Sequence, residues 1–340
     1  MRQVVISKAG SPDMLRVVDV PLPEPDPGSV RIKSAAIGVN FADLVGRLGL
    51  YPDSPKIPYV PGYEVAGTID AVGSGVDASR LGEPVIALTR FNGYSEALCI
   101  PADQAIPRPA KMPVEQAGGF LVSYLTAYAS LVVMAGIKPH DRVLIHAAAG
   151  GVGLAAVDLC RVYGATIYGT ASPAKHDFLR ARGVQFPIDY RHQDFEKEVA
   201  RLSDGRGVQI ALDPIGGRSW TKSYRALSPT GRLVINGVTS LTPRARRSLR
   251  ALLRMALTTP WLRFTPVRLA NDNKGVVGVN LGHLWDETAL LREWVTQLLA
   301  WYDTGRIDIH VDRTFPLAEA AAAHRYLHER RNTGKVVLIP

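Results

Sequence analysis

One segment of this 340-residue chain restricts its fold more than any other, the run HAAAGGVGLAAV at 146–157. It joins a short apolar run, Arg142–His146, to an apolar stretch that predicts a helix over about 151–163. Glycine at 150, 151 and 153 removes every Cβ that would hold the turn away from a ligand or the helix away from the strand. A second apolar run follows at Ala165–Gly169. Strand, glycine turn, helix and strand thus fall within about 28 residues, the unit that seats a dinucleotide pyrophosphate on a helix N-terminus. Gly150, Gly151 and Val152 are therefore candidate cofactor contacts. The alternation continues with a helix near 174–182, a strand near 207–213, a helix near 219–227 and a strand at Arg232–Gly237, which predicts a parallel, doubly wound sheet.

The end of the second strand selects the cofactor. A site for NAD places Asp or Glu there to hold the ribose hydroxyls. Residues 169–175 read GTASPAK, with no acid. Lys175 lies 22 residues beyond Gly153, and Thr170 and Ser172 add hydroxyls. These groups suit a 2′-phosphate and predict NADPH, each charge-assisted bond being worth about 1.5–3 kcal/mol. Tyr190, in the IDY segment after the third strand, is placed to stack or bond at the same phosphate.

Residues 1 to about 115 read as short strands broken by Pro and Gly, at 3–7, 29–36, 64–72 and 84–88. The chain closes with a helix near 317–330 and a strand near 335–339. Two cysteines, Cys99 and Cys160, exclude a disulfide framework and a Cys-rich zinc site. Asp13 and Arg16 precede any long apolar run, which predicts a cytoplasmic protein. Residues 116–137 carry no charge over 22 positions, enough to span a bilayer, yet five hydroxyl side chains and the glycine pair Gly118 and Gly119 favour a buried core helix.

The formal charge of +9 is local. Residues 241–275 hold eight basic residues and one acid, a net +7. That concentration, with no aromatic among the arginines of 244–254, argues against a nucleic-acid partner. Arg247, Arg250 and Arg254 share one helical face, and Leu249, Leu252, Leu253 and Leu257 another, while Pro260 and Pro266 limit the helix. Such a helix either lies on an anionic membrane or packs its leucines on its own domain.

The segments IGVNFADLVGRLGLYP (37–52), PYVPGYEVAGTIDAVGSGV (58–76), NGYSEALCIPAD (92–103), HAAAGGVGLAAVDLC (146–160), GVVGVNLG (275–282) and NTGKVVLIP (332–340) carry a resemblance over nearly the whole chain. The chain resembles the medium-chain dehydrogenase/reductase superfamily, in its zinc-free quinone oxidoreductase branch and the vesicle amine transport protein-like group. The resemblance implies an α/β protein with a GroES-like β-rich catalytic domain, residues 1–122 and 300–340. A Rossmann domain, residues 123–299 with the basic insert 241–275, lies between them, and the active site lies in the cleft. Zinc-dependent relatives carry a cysteine near Asn40 and a histidine at Tyr63, and they add a four-cysteine lobe for which the loop after Glu64 is too short. Fewer than three ligands remain, so no metal is expected.

The implied reaction is hydride transfer from NADPH to a quinone or α,β-unsaturated carbonyl compound. Asn40 is the expected amide near the acceptor oxygen or the nicotinamide ribose, or else a turn-stabilising residue. Asp43 orients a ribose, a water or a neighbour, or is a helix N-terminal acid. Tyr51 donates a proton or hydrogen bond, or only lines the cleft. Tyr63 and Glu64 read as structural. By resemblance, Gly237, Val279 and Leu281 meet the nicotinamide, Asn332 approaches the cofactor, and the 275–282 edge strand forms a homodimer. The alternative is an NADPH-binding, membrane-associated adaptor of low activity that docks through 244–257.

Overall fold

The computed structural model describes residues 1–241 and 264–340, together with Leu253 and Leu257. Strands β1 (Arg2–Ile6) and β2 (Leu15–Asp19) form an antiparallel hairpin. Strands β3 (Ser29–Val39), β4 (Glu64–Val72), β5 (Pro84–Leu88), β6 (Ala97–Pro101) and β7 (Ile106–Pro107) build most of a second, largely antiparallel sheet. Its apolar residues alternate inward around a core that includes Ile32, Ile37, Ile69 and Val85.

The chain then changes rule. Strands β8 (Arg142–Ile145), β9 (Thr166–Ala171), β10 (Phe186–Asp189), β11 (Val208–Leu212), β12 (Leu227–Ile235) and β13 (Gly275–Gly278) form one sheet in the order β10-β9-β8-β11-β12-β13. Every pair in it is parallel. Strands covered on both faces are largely apolar, and β8, β9 and β11 read RVLI, TIYGTA and VQIAL. The order reverses beside β8, so the glycine turn that follows it lies at the crevice where open α/β sheets bind ligands. The doubly wound sheet expected from the sequence is therefore present. The expected helix near 174–182 begins as a 3₁₀ turn at Pro173–Lys175 and continues as His176–Ala181. A helix at Phe195–Leu202 had no expectation; Asp194 caps it by accepting the Glu196 N–H.

The last strands return to the sheet of β3. Strand β15 (Lys335–Ile339) lies between β3 and β14 (Val311–Pro316), antiparallel to β3 with Leu338 opposite Ile37. The uncharged stretch forms helices at Val114–Gly118 and Leu121–Tyr128 and a wider π-helical turn at Ala129–Met134. Phe120, Leu121, Tyr124, Leu125 and Leu131 are buried in the protein core. Among the described residues no helix is long and apolar enough to cross a membrane.

Most of the basic segment lies outside the described residues, including Arg244, Arg246, Arg247, Arg250, Arg254, Arg263, Leu249 and Leu252. Leu253 and Leu257 are 64% and 77% exposed. Arg268 pairs with Asp272, and Lys274 donates to the Tyr224 carbonyl, so these two serve their own domain.

Gly67 sits where β4 crosses β3 most closely. A Cβ there would lie 2.1 Å from the Lys33 carbonyl oxygen. Gly67→Ala should cost about 1–3 kcal/mol through forced separation of the strands. Thermal denaturation reads this as a lower Tm, and an unchanged Tm would mean the two strands part freely.

Candidate active site

The helix Gly151–Val162 starts directly from the β8 turn, with Gly150 as its cap and no side chain bonded to its free N–H groups. Such an end is an anion site. Two close approaches demand glycine. A Cβ at Gly153 would stand 2.3 Å from the Ala147 oxygen, and one at Gly151 would stand 2.8 Å from Lys335 Cδ and 2.9 Å from Ser123 Oγ. Val152, beside them, is half-buried. The returning chain lies on the turn: Gly334 bridges to Gly150, and its N–H donates to the Ala149 carbonyl at 2.8 Å.

Thr170 and Ser172, paired in the sequence reading, separate in the structure. Thr170 is buried in the sheet. Its hydroxyl lies 3.1 Å from His146 Nδ1 and accepts the Ala147 N–H at 3.3 Å. The other imidazole nitrogen lies 3.0 Å from Ser223 Oγ, which donates to Asp213 at 2.7 Å. Burial lowers the His146 pKa against the pull of Asp213. Ser172, by contrast, is half-buried at the strand rim.

Lys175 Nζ donates to the carbonyls of Arg330 and Asn332, and burial lowers its pKa. Tyr190 is 40% exposed. Burial alone would raise its phenol, but side-chain bonds from Arg191 and Arg330 outweigh that and bring the pKa below its usual value. Lys175, Tyr190, Arg191 and Arg330 therefore gather at one strand end. Arg191 and Arg330 carry no motif; their only sequence signal is adjacency to Tyr190 and to the NTGK segment. Asn332 is buried, with its amide donating to the Gly334 carbonyl.

Across the cleft, Asn40 precedes the helix Phe41–Arg47. Its Nδ2 donates to Glu64 Oε1 at 3.0 Å, and its Oδ1 accepts from Lys335 Nζ at 2.8 Å. Lys335 Nζ also meets Glu64 Oε1 at 2.7 Å, a buried ion pair that no sequence motif announces. Tyr51 and Tyr63 meet edge to face at 6.0 Å, and Tyr63 packs on Phe91 and Trp285. Burial raises the pKa of both Tyr51 and Tyr63. The Tyr51 hydroxyl approaches Gly282, and Asp53 pairs with His283 at 3.0 Å, so this wall touches the loop after β13. Gly237 follows β12, the Val279 N–H donates to the Ile235 carbonyl, and Leu281 is buried, which puts all three at the carboxyl ends of β12 and β13.

Asp43 accepts the N–H groups of Asn40 and Gly62 at 2.8 and 2.9 Å. Burial still pushes its pKa from 3.8 up to about 7. A carboxyl that holds its proton more tightly when folded destabilises the fold as pH rises through that window. The Tm of the wild type should therefore fall relative to that of Asp43→Asn between about pH 4 and pH 7, and hold constant above. Parallel pH profiles for the two proteins would exclude this.

The chain matches the alcohol dehydrogenase GroES-like domain family over residues 26–137 and the zinc-binding dehydrogenase family over 182–338. Among the described residues no group of three or more His, Cys, Asp or Glu is placed to hold a metal ion. The synaptic vesicle membrane protein VAT-1 homolog of Rattus norvegicus is 40% identical over 345 residues, covering 100% of this chain and 84% of that relative. The crystal structure of a human VAT-1 homolog-like protein superposes with a TM-score of 0.86 at 31% identity, covering 100% of this chain and 98% of that one. The Escherichia coli quinone oxidoreductase, solved with NADPH, superposes with a TM-score of 0.87 at 29% identity over 100% of both chains. By family matches on both sheets and relatives along its whole length, the chain belongs to the medium-chain dehydrogenase/reductase superfamily, in the zinc-free quinone oxidoreductase branch with its VAT-1-like members.

Proposed function

We propose that the chain is a zinc-independent, NADPH-dependent oxidoreductase that passes hydride to a quinone or an α,β-unsaturated carbonyl compound. The observation that carries this reading is the cationic cluster of Lys175, Arg191 and Arg330 around Tyr190, beside an uncapped helix N-terminus. A diphosphate fits the helix end and a 2′-phosphate fits the cluster. Lys175 spends two of its three N–H groups on carbonyls and keeps one for an anion. Arg191 and Arg330 take the role first assigned to Thr170, whose hydroxyl serves the sheet interior.

Bound NADPH supplies the hydride. Gly151 and Val152 offer backbone N–H groups to the diphosphate, Gly150, whose own N–H donates to the Ala147 carbonyl, leaves room for it, and Ser172 offers a hydroxyl beside the 2′-phosphate. Gly237, Val279 and Leu281 line the ring, and Asn332 shapes the loop against Lys175. Both ends of the Asn40 amide are held, so its free capacity is a lone pair on Oδ1, which suits a ribose hydroxyl better than an acceptor oxygen. Asp43 holds the backbone of Asn40 and Gly62 and is buried in the fold, away from the acceptor. Tyr51, kept protonated by burial, donates to the oxygen on which charge develops. A quinone gains the hydride and one proton to become a hydroquinone; an enone takes hydride at its β-carbon and a proton at its α-carbon. Strand β13, last in its sheet, supports a homodimer in which it pairs with its copy.

A second reading rests on Leu253 and Leu257, exposed members of the apolar stripe that adjoins the arginines. In it the segment 244–257 docks a cytoplasmic protein on an anionic membrane, with little turnover.

Lys175→Ala should weaken NADPH by about 10–100-fold and leave NADH nearly unchanged, as read by fluorescence titration. Equal wild-type affinity for both would sink the 2′-phosphate assignment. NADPH oxidation with benzoquinone, a naphthoquinone and an alkenal tests the reaction, and no turnover with any of them overturns it. Flotation of wild type with anionic liposomes, lost on replacing Arg246, Arg247, Arg250 and Arg254, would favour the docking reading.

A further inference from the structure

Lys335 stands beside the diphosphate end of the glycine turn, where a lysine would ordinarily be taken for a phosphate ligand. Its geometry says otherwise. Nζ donates to Glu64 Oε1, to Asn40 Oδ1 and to the Val39 carbonyl at 2.7, 2.8 and 3.4 Å, all on the catalytic side. Three donors meet three acceptors, and nothing is left for an anion. Lys335, Glu64 and Asn40 are 5%, 1% and 7% exposed. The lysine stem passes between two glycines: a Cβ at Gly119 would lie 3.1 Å from its Cγ and Cε, and one at Gly151 would lie 2.8 Å from its Cδ. A third glycine clears the acid, since a Cβ at Gly38 would lie 2.3 Å from Glu64 Oε1.

The same pair reaches the glycine turn by a second route. Glu64 Oε2 accepts the Val122 N–H at 2.9 Å, at the start of the helix Leu121–Tyr128. The next residue, Ser123, places its hydroxyl 2.9 Å from the Cβ position of Gly151. Asn40 is thus fixed by Lys335 at its oxygen and by Glu64 at its nitrogen; Lys335 abuts the first residue of the dinucleotide-facing helix directly, and Glu64 reaches it through Val122 and Ser123. We propose that Lys335, together with Glu64, is a positioning residue that sets the separation between Asn40 and Gly151, and so the register between nicotinamide and acceptor, without binding the cofactor itself. This rests on the oxidoreductase reading above. A misplacement of about 1 Å in such a register costs up to about 100-fold in rate.

Removing the lysine alone strands a buried carboxylate, so the informative protein is the double variant Lys335→Met with Glu64→Gln. It keeps the stem and the bond to Val122, and it removes the charges and the hold on Asn40 Oδ1. Four readouts apply: Tm, NADPH Kd by fluorescence titration, kcat with its isotope effect using 4-deuterated NADPH, and the nicotinamide emission of the bound cofactor. We expect a folded protein whose Kd stays within about threefold, whose kcat falls about 10–100-fold with a larger isotope effect, and whose nicotinamide emission shifts. A folded double variant with wild-type kcat, isotope effect and emission would overturn the proposal. So would a loss that appears wholly in Kd, which would make Lys335 a cofactor ligand. A wild type that binds NADPH but reduces no acceptor fails the oxidoreductase reading alone, and the emission then decides the positioning role by itself. A wild type that binds no NADPH overturns both.

Discussion

The approach of the helix Gly151–Val162 to the β8 turn is closer than a methyl group allows, and the rest of the molecule is arranged around it. Because Gly153 rests on the Ala147 carbonyl, the helix starts at the sheet edge and turns its free N–H groups toward the crevice. Because Gly150 and Gly151 also lack side chains, a strand from the other domain lies on the same turn through Gly334. One patch of bare backbone thus makes both an anion site and the contact between two sheets. A side chain there would block the ligand and push the domains apart together.

Two buried polar networks carry that arrangement in different directions. The first joins Thr170, His146, Ser223 and Asp213, tying β9, β8 and the chain after β11 beneath the crevice. Asp213 also accepts the Ile215 N–H and the Ser219 hydroxyl, which sets the loop that follows. The second joins Asn40, Glu64 and Lys335. Polar groups this far from water are stable only when partnered, and once partnered they hold one geometry. Neither network offers its members to solvent; the cations that face it are Lys175, Arg191 and Arg330.

What the sequence discloses follows from how local each signal is. The glycine turn, its flanking strands and the offset of Lys175 all fall within one βαβ unit, and the sheet order follows from repeating that unit. Thr170, read beside Ser172, turns its hydroxyl into the sheet for a reason of architecture: a strand covered on both faces buries its threonine as readily as its isoleucine. Arg330 and Lys335 were invisible because their contacts span the chain. Lys175 meets the Arg330 carbonyl across 155 positions, and Lys335 meets Glu64 across 271. No periodicity or spacing rule encodes a pair at that distance.

That separation has a bearing on biosynthesis. Strand β3 waits for β15, which takes its place beside it only after the whole parallel sheet has been made. At about 5–20 residues per second, the 271 positions between Glu64 and Lys335 correspond to roughly 15–55 s of translation. Over that interval the open edge of β3 and the unpaired Glu64 are exposed to the ribosome's surroundings. The nascent β3 sheet thus stays incomplete, and open to mispairing or to a chaperone, until Lys335 has been translated.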